Sequence, residues 1–137
     1  MWTSIIETLM KNHTKFSPAD RANLIDDAFS LCDAGEVDAS IPLELSLYLV
    51  NERDYAPWAT ALRYLNFWKN RLSESAAYKK YMIFFKQLMG PITRYIGWTD
   101  EGSHLKKYSL FRTSCLCLVR YSIDNTMNGT LIQVLSS

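Results

Sequence analysis

The chain has 137 residues, 48% of them apolar and 21% charged, which fits one soluble globular domain or part of one. Fifteen Lys and Arg against fourteen Asp and Glu leave a formal charge of +1, so no overall field draws in a phosphate backbone or an anionic membrane. No apolar run approaches the roughly 20 residues of a membrane span, and the stretch from Met1 to His13 lacks the basic leader of a signal peptide.

Trp2, Ile5, Ile6, Leu9 and Met10 recur at helical spacing and predict a short first helix ending near Asn12-His13. Asn12-His13-Thr14 is one of two N-x-T sequons, the other being Asn128-Gly129-Thr130. Asn12 and Asn128 are candidate N-glycosylation sites if the protein enters the secretory pathway, although such short patterns also arise by chance.

The second helix has the best-marked start. Ser17 stands as N-cap before Pro18 at the first helical position, and Asp20 adds negative charge where the helix dipole favours it. Ala22, Ile25, Ala28, Phe29 and Cys32 form its apolar stripe, and Gly35 is a natural C-cap. Arg21 and Asp20 read as charges at a helix start. Asp26 and Asp27 are adjacent on a helix and so face different directions, which argues against a catalytic carboxylate pair.

A third helix is expected from Ser40-Ile41-Pro42 with Leu43, Leu47 and Val50 on its stripe, closing at Asn51. Asp54 with Pro57 opens a fourth, lined by Trp58, Ala61, Leu62, Leu65, Trp68 and Leu72. A fifth is predicted from Ser75 to Ile96, with Tyr78, Met82, Phe85, Leu88, Met89, Ile92 and Ile96 on its stripe. Gly90-Pro91 within it predicts a kink or break, because proline lacks the backbone donor and clashes with the preceding turn. Gly97 is expected to end it, and Ser103 to Tyr121 to form a sixth helix. Ser122 to Ser137 reads as a poorly ordered polar tail. The fold class is therefore all-α: about six helices in antiparallel hairpins, stacked as a HEAT/ARM-like solenoid over 1–121, followed by a divergent tail at 122–137.

Metal and nucleophile patterns are weak. His13 and His104 stand far apart with no second His at helical spacing, so no metal ligand is assigned. Cys32, Cys115 and Cys117 are odd in number. Cys115 and Cys117 would point about 200° apart on one helix, so a bridge between them would be strained. Buried thiols are the expected state. Lys69, Arg71, Lys79, Lys80 and Lys86, with Tyr78, Tyr81 and Phe84, could form a nucleic-acid face, but the near-zero net charge favours a solvated helix surface. No phosphate-binding glycine loop and no G-x-S-x-G elbow occurs.

One run is not generic: Phe16-Ser17-Pro18-Ala19-Asp20-Arg21-Ala22-Asn23-Leu24-Ile25-Asp26-Asp27-Ala28-Phe29. It resembles the opening of the C-terminal domain of M1-family zinc aminopeptidases, the group of aminopeptidase N, glutamyl aminopeptidase and the endoplasmic-reticulum aminopeptidases. The likeness continues in order through Ile41-Pro42-Leu43, Leu47-Tyr48-Leu49, the E-x-x-Y-x-P-W run from Glu52 to Trp58, and Gly97-Trp98-Thr99-Asp100-Glu101-Gly102-Ser103-His104. It covers residues 2–116 and departs where extra residues precede Arg112 and where the chain enters its polar tail.

The resemblance implies a piece of the non-catalytic helical domain that, in a parent enzyme, encloses the peptide substrate over the zinc site. The zinc of such a parent is held by an H-E-x-x-H helix, absent here. No catalytic or metal residue is therefore carried over, and the chain is expected to be inactive alone. Implied partners are the catalytic domain of the parent, its peptide substrate, and a second copy in a homodimer. A parent of this group is membrane-anchored and extracellular, or lumenal. The alternative is a freestanding helical interaction module without enzymatic activity.

Overall fold

The first helix, α1 (Trp2–Asn12), puts only Leu9 fully into the core, while Met10 stays 45% exposed. It passes into a short 3-10 helix, His13–Lys15. The computed structural model describes residues 1–96; within them all regular structure is helical and no strand occurs. The expected sixth helix, the tail, Gly97, His104, Cys115, Cys117, Asn128 and the 121/122 boundary lie outside the described residues.

Helix α2 (Pro18–Asp33) starts and stops as its sequence dictates. The Ser17 hydroxyl oxygen accepts from the Asp20 amide at 3.1 Å, and Pro18 occupies the first turn, where no backbone donor is needed. At the other end Gly35 takes φ +79°, which an L side chain resists. The Gly35 amide donates to the Cys32 carbonyl (3.0 Å) and the Glu36 amide to the Leu31 carbonyl (2.8 Å), closing the helix in a Schellman motif. Ile25, Ala28 and Phe29 on the predicted stripe have no exposed surface.

Helix α3 (Ser40–Ser46) is short and tightens into a 3-10 helix, Leu47–Asn51. This change displaces the predicted stripe. Leu47 is 42% exposed and Leu43 and Val50 are half-buried, whereas Leu45, Tyr48 and Leu49 have no exposed surface. With three residues per turn instead of 3.6, positions four and seven apart no longer share a face. The Ser46 hydroxyl donates to the Pro42 carbonyl (2.7 Å), a back-bond that competes with regular helix at the transition.

Helix α4 (Tyr55–Leu72) buries Trp58, Ala61, Leu62 and Leu65 as its spacing predicts, with Trp68 and Leu72 half-buried. Helix α5 (Tyr78–Ile96) starts three residues after the predicted position, following a turn in which Tyr78 donates its amide to the Ser75 carbonyl. No break occurs at Gly90-Pro91: the helix continues through it. Leu88, Met89 and Ile92 are buried on either side of the proline, so tertiary packing carries the helix past the missing donor.

Helices α2 and α4 are the main packing partners. Their contacts rise together along both helices: Arg21 with Asp54, Asp26 with Arg63, Ser30 with Tyr64. The two helices therefore run in the same direction, with α3 and its 3-10 extension as the return. Between them Phe29 stacks on Tyr64 (4.9 Å between centroids) and meets Trp68 edge-on (5.2 Å). Helix α5 packs on α4 and on the Leu47–Asn51 turn, and α1 on α3 and that same turn.

Candidate functional site

Three places concentrate chemistry among the described residues: a buried ion network at the N-terminal ends of α2 and α4, a groove at their C-terminal ends, and the Asn12 turn.

The ion network is centred on Arg21, 2% exposed, and Glu52, fully buried. Arg21 Nε donates to Glu52 Oε2 at 2.7 Å and Nη2 donates to Glu52 Oε1 at 3.1 Å, a bidentate pair. Nη2 also donates to Asp54 Oδ2, and Nη1 to the Phe16 carbonyl (2.6 Å) and the His13 carbonyl (3.4 Å). Glu52 accepts further from the Tyr48 hydroxyl (2.9 Å) and from the Arg53 and Asp54 amides (3.0 and 3.1 Å). Its backbone carbonyl takes the Trp58 indole N–H (3.1 Å). No buried side-chain nitrogen or oxygen among the described residues lacks a partner.

Electrostatics follow from these contacts. Burial by itself would raise the Glu52 carboxyl, but the hydrogen bonds from Arg21, the Asp54 amide and Tyr48 outweigh it and hold the group below its ordinary value. Burial likewise opposes the Arg21 charge, and the hydrogen bond and charge of Glu52 overcome it, so the guanidinium is held above its usual range. Burial and the neighbouring Glu52 charge push the Tyr48 phenol well up. The network is thus a permanently charged pair with a neutral phenol donor. It has no displaceable proton near neutral pH and works as a structural clamp.

Arg21 is the charge at a helix start that the sequence predicts, and the fold adds that this charge is buried against Glu52. The sequence held the signal: a cation in the first turns of a helix opposes the dipole, so it calls for an anionic partner. The same network explains why Asp54, although N-cap of α4, makes no side-chain cap bond; its carboxylate is committed to Arg21. Asp26 and Asp27 diverge as expected. Asp26 accepts from Arg63 Nη2 (2.7 Å) and the Tyr64 hydroxyl (2.6 Å), while Asp27 faces solvent.

The groove has a volume of about 670 Å³. Trp68, Leu72, Tyr81 and Phe84 form its apolar walls, with Asp33, Arg71 and Lys80 at its rim. Cys32 lines it too, but burial and the charges of Asp33 and Asp38 raise the thiol above its ordinary range. It is therefore a weak nucleophile at neutral pH.

The basic and aromatic residues of α4 and α5 do not all stay on one exposed face. Tyr81 is buried and donates its hydroxyl to the Leu65 carbonyl (2.6 Å), Lys86 is 7% exposed, and Lys69 lies over the Phe85 ring at 5.9 Å. Stacking platforms for bases need exposed aromatic faces beside exposed cations; Tyr81 and Lys86 are withdrawn from such a face, and Arg71, Lys80 and Phe84 meet only around the groove.

No group of three or more His, Cys, Asp or Glu side chains among the described residues is placed to hold a metal ion. His13 packs its ring against Tyr48, 6.0 Å between centroids. These residues do not fit a zinc centre. No described helix is long and apolar enough to cross a membrane.

The family model described as the ERAP1-like C-terminal domain matches residues 1–126. Glutamyl aminopeptidase of Mus musculus is 34% identical over 137 residues, covering 99% of this chain and 14% of the mouse protein. Glutamyl aminopeptidase of Homo sapiens is 36% identical over 116 residues, 84% of this chain and 12% of the human protein. Aminopeptidase N of Plutella xylostella is 35% identical over 97 residues, 71% of this chain and 10% of that protein. The chain thus spans a small part of the length of the curated relatives it matches. The run around Arg21 and the run from Glu52 to Trp58 carried the family resemblance, and the fold joins them in one buried ion pair. With that pair in place and the match running through most of its length, the chain belongs to the ERAP1-like C-terminal domain family of the M1 aminopeptidases.

Proposed function

We propose that the chain serves as a non-catalytic helical portion of an M1 aminopeptidase, enclosing the peptide substrate over a zinc site that a separate catalytic domain supplies. The observation that carries this reading is the family match over residues 1–126, together with glutamyl aminopeptidase identity along nearly the whole chain. The described residues add a rigid scaffold, since the Arg21–Glu52 clamp ties α2, the 3-10 turn before it and the start of α4 into one unit. Its partners in this reading are the catalytic domain and the N-terminal segment of a peptide. The test is to purify the chain and assay aminoacyl-anilide hydrolysis with added zinc. No turnover is expected, and chelator-sensitive turnover would overturn the reading. Co-expression with the metal-bearing portion of a glutamyl aminopeptidase is expected to yield a complex that survives size exclusion.

A second reading is a freestanding interaction module that binds a peptide or another subunit. The open apolar walls at Trp68, Leu72 and Phe84 favour it. Light scattering after size exclusion separates the two: a soluble monomer that ignores peptides argues against the module.

A further inference from the structure

We propose that Asn12 is an acceptor for an N-linked glycan. The sequon Asn12-His13-Thr14 lies where α1 gives way to the 3-10 helix, and Asn12, Thr14 and Lys15 are all exposed. Asn12 leaves the helical region, with φ −159° and ψ 87°, which carries its side chain off the line of α1.

The hydrogen bonds of its carboxamide fall on one atom. Oδ1 accepts from the Thr14 amide at 3.2 Å and from the Thr14 hydroxyl. Glycosylation uses the other atom, Nδ2. In that step Nδ2 bonds to the anomeric carbon of a polyprenyl-diphosphate-linked oligosaccharide. The bond from that carbon to the diphosphate oxygen breaks, the diphosphate leaves with the electron pair, and Nδ2 gives one proton to a base of the transferase. Nothing is oxidised or reduced. The product keeps both bonds to Oδ1, so the sugar costs the turn none of its internal contacts.

The fold also fixes where the sugar would stand. Arg21 Nη1 holds the Phe16 and His13 carbonyls, and the His13 ring rests against Tyr48, so the turn is anchored to the core while Asn12 points outward. The 16 residues of α2 separate this turn from the groove, about 24 Å along the helix axis. A glycan at Asn12 therefore leaves the groove open.

The test uses the full chain behind a cleavable secretion signal in mammalian cells. Asn128→Gln leaves Asn12 as the acceptor. That variant is expected to show a gel mobility step removed by peptide-N-glycosidase, with Asn12 converted to Asp carrying heavy oxygen when the digestion is run in labelled water. Adding Asn12→Gln or Thr14→Ala is expected to abolish the step, and Thr14→Ser, which keeps the hydroxyl, to retain it. An unshifted Asn128→Gln chain with a normal helical circular dichroism spectrum would overturn the proposal. So would a step that persists after Asn12→Gln.

Discussion

Without the Arg21 guanidinium, the Glu52 carboxylate would sit fully buried with only neutral donors around it. Breaking one side of such a pair costs about 3–5 kcal/mol, because the remaining charge is stranded in low dielectric. Arg21→Met is therefore expected to lower the denaturation midpoint steeply, and Arg21→Met with Glu52→Leu to recover part of the loss. Urea titration of the three proteins measures the coupling. The same pair sets an acid limit. Glu52 is depressed in the folded state, so its contribution is present above the ordinary carboxylate value and is lost as pH falls through the folded value. Stability followed by circular dichroism is expected to hold through neutral pH and to fall below about pH 4. Glu52→Gln should flatten that acid limb. The Arg21 contribution fails only at alkaline pH beyond ordinary experiments. Arg21 and Glu52 were visible in the sequence as letters of two motifs. Their pairing was not, because they lie 31 residues apart and only the parallel packing of α2 on α4 brings them together.

Helix ends obeyed local chemistry, and helix faces did so only where the pitch stayed constant. Ser17, Pro18 and Gly35 delimit α2 through bonds made within a few residues, which sequence alone encodes. Gly35→Ala is expected to cost about 1–2 kcal/mol, since an L side chain there is forced into the left-handed region. A matching loss of thermal midpoint would confirm it, and no loss would show that the Schellman turn relaxes. The α3 stripe shifted because a 3-10 segment changes the number of residues per turn, and within that segment Tyr48 and Leu49 are buried where α5 and α1 pack against it. Pro91 tells the same story from the other side. The helix runs on although Pro91 has no amide to donate, held by buried Leu88, Met89 and Ile92. Pro91→Ala restores that donor and is expected to stabilise the chain, by up to roughly 3 kcal/mol if the helix is otherwise unstrained. Differential scanning calorimetry reads the sign directly.

At the scale of the described residues 1–96, the parallel pairing of α2 and α4 sets the ion clamp at one end and the groove at the other. Trp68 bridges core and groove, touching Phe29 edge-on while lining the cavity. Trp68→Ala is expected to cost about 3–5 kcal/mol by the usual large-to-small rule, less to the extent that its half-exposed side already meets water. Guanidinium unfolding of that variant, compared with Phe84→Ala in the groove wall, tells core support from groove lining. The sequence by itself determined the all-helical class, the start and stop of α2, the buried stripe of α4 and the family, because each depends on spacing or on residues within a turn of one another. Only the tertiary structure decided that Arg21 is buried against Glu52, that Tyr81 and Lys86 leave the basic face, that Leu47 turns outward, and that α5 passes Pro91. Each of those outcomes depends on what a neighbouring helix brings to the contact, and no local pattern along one segment records its neighbour.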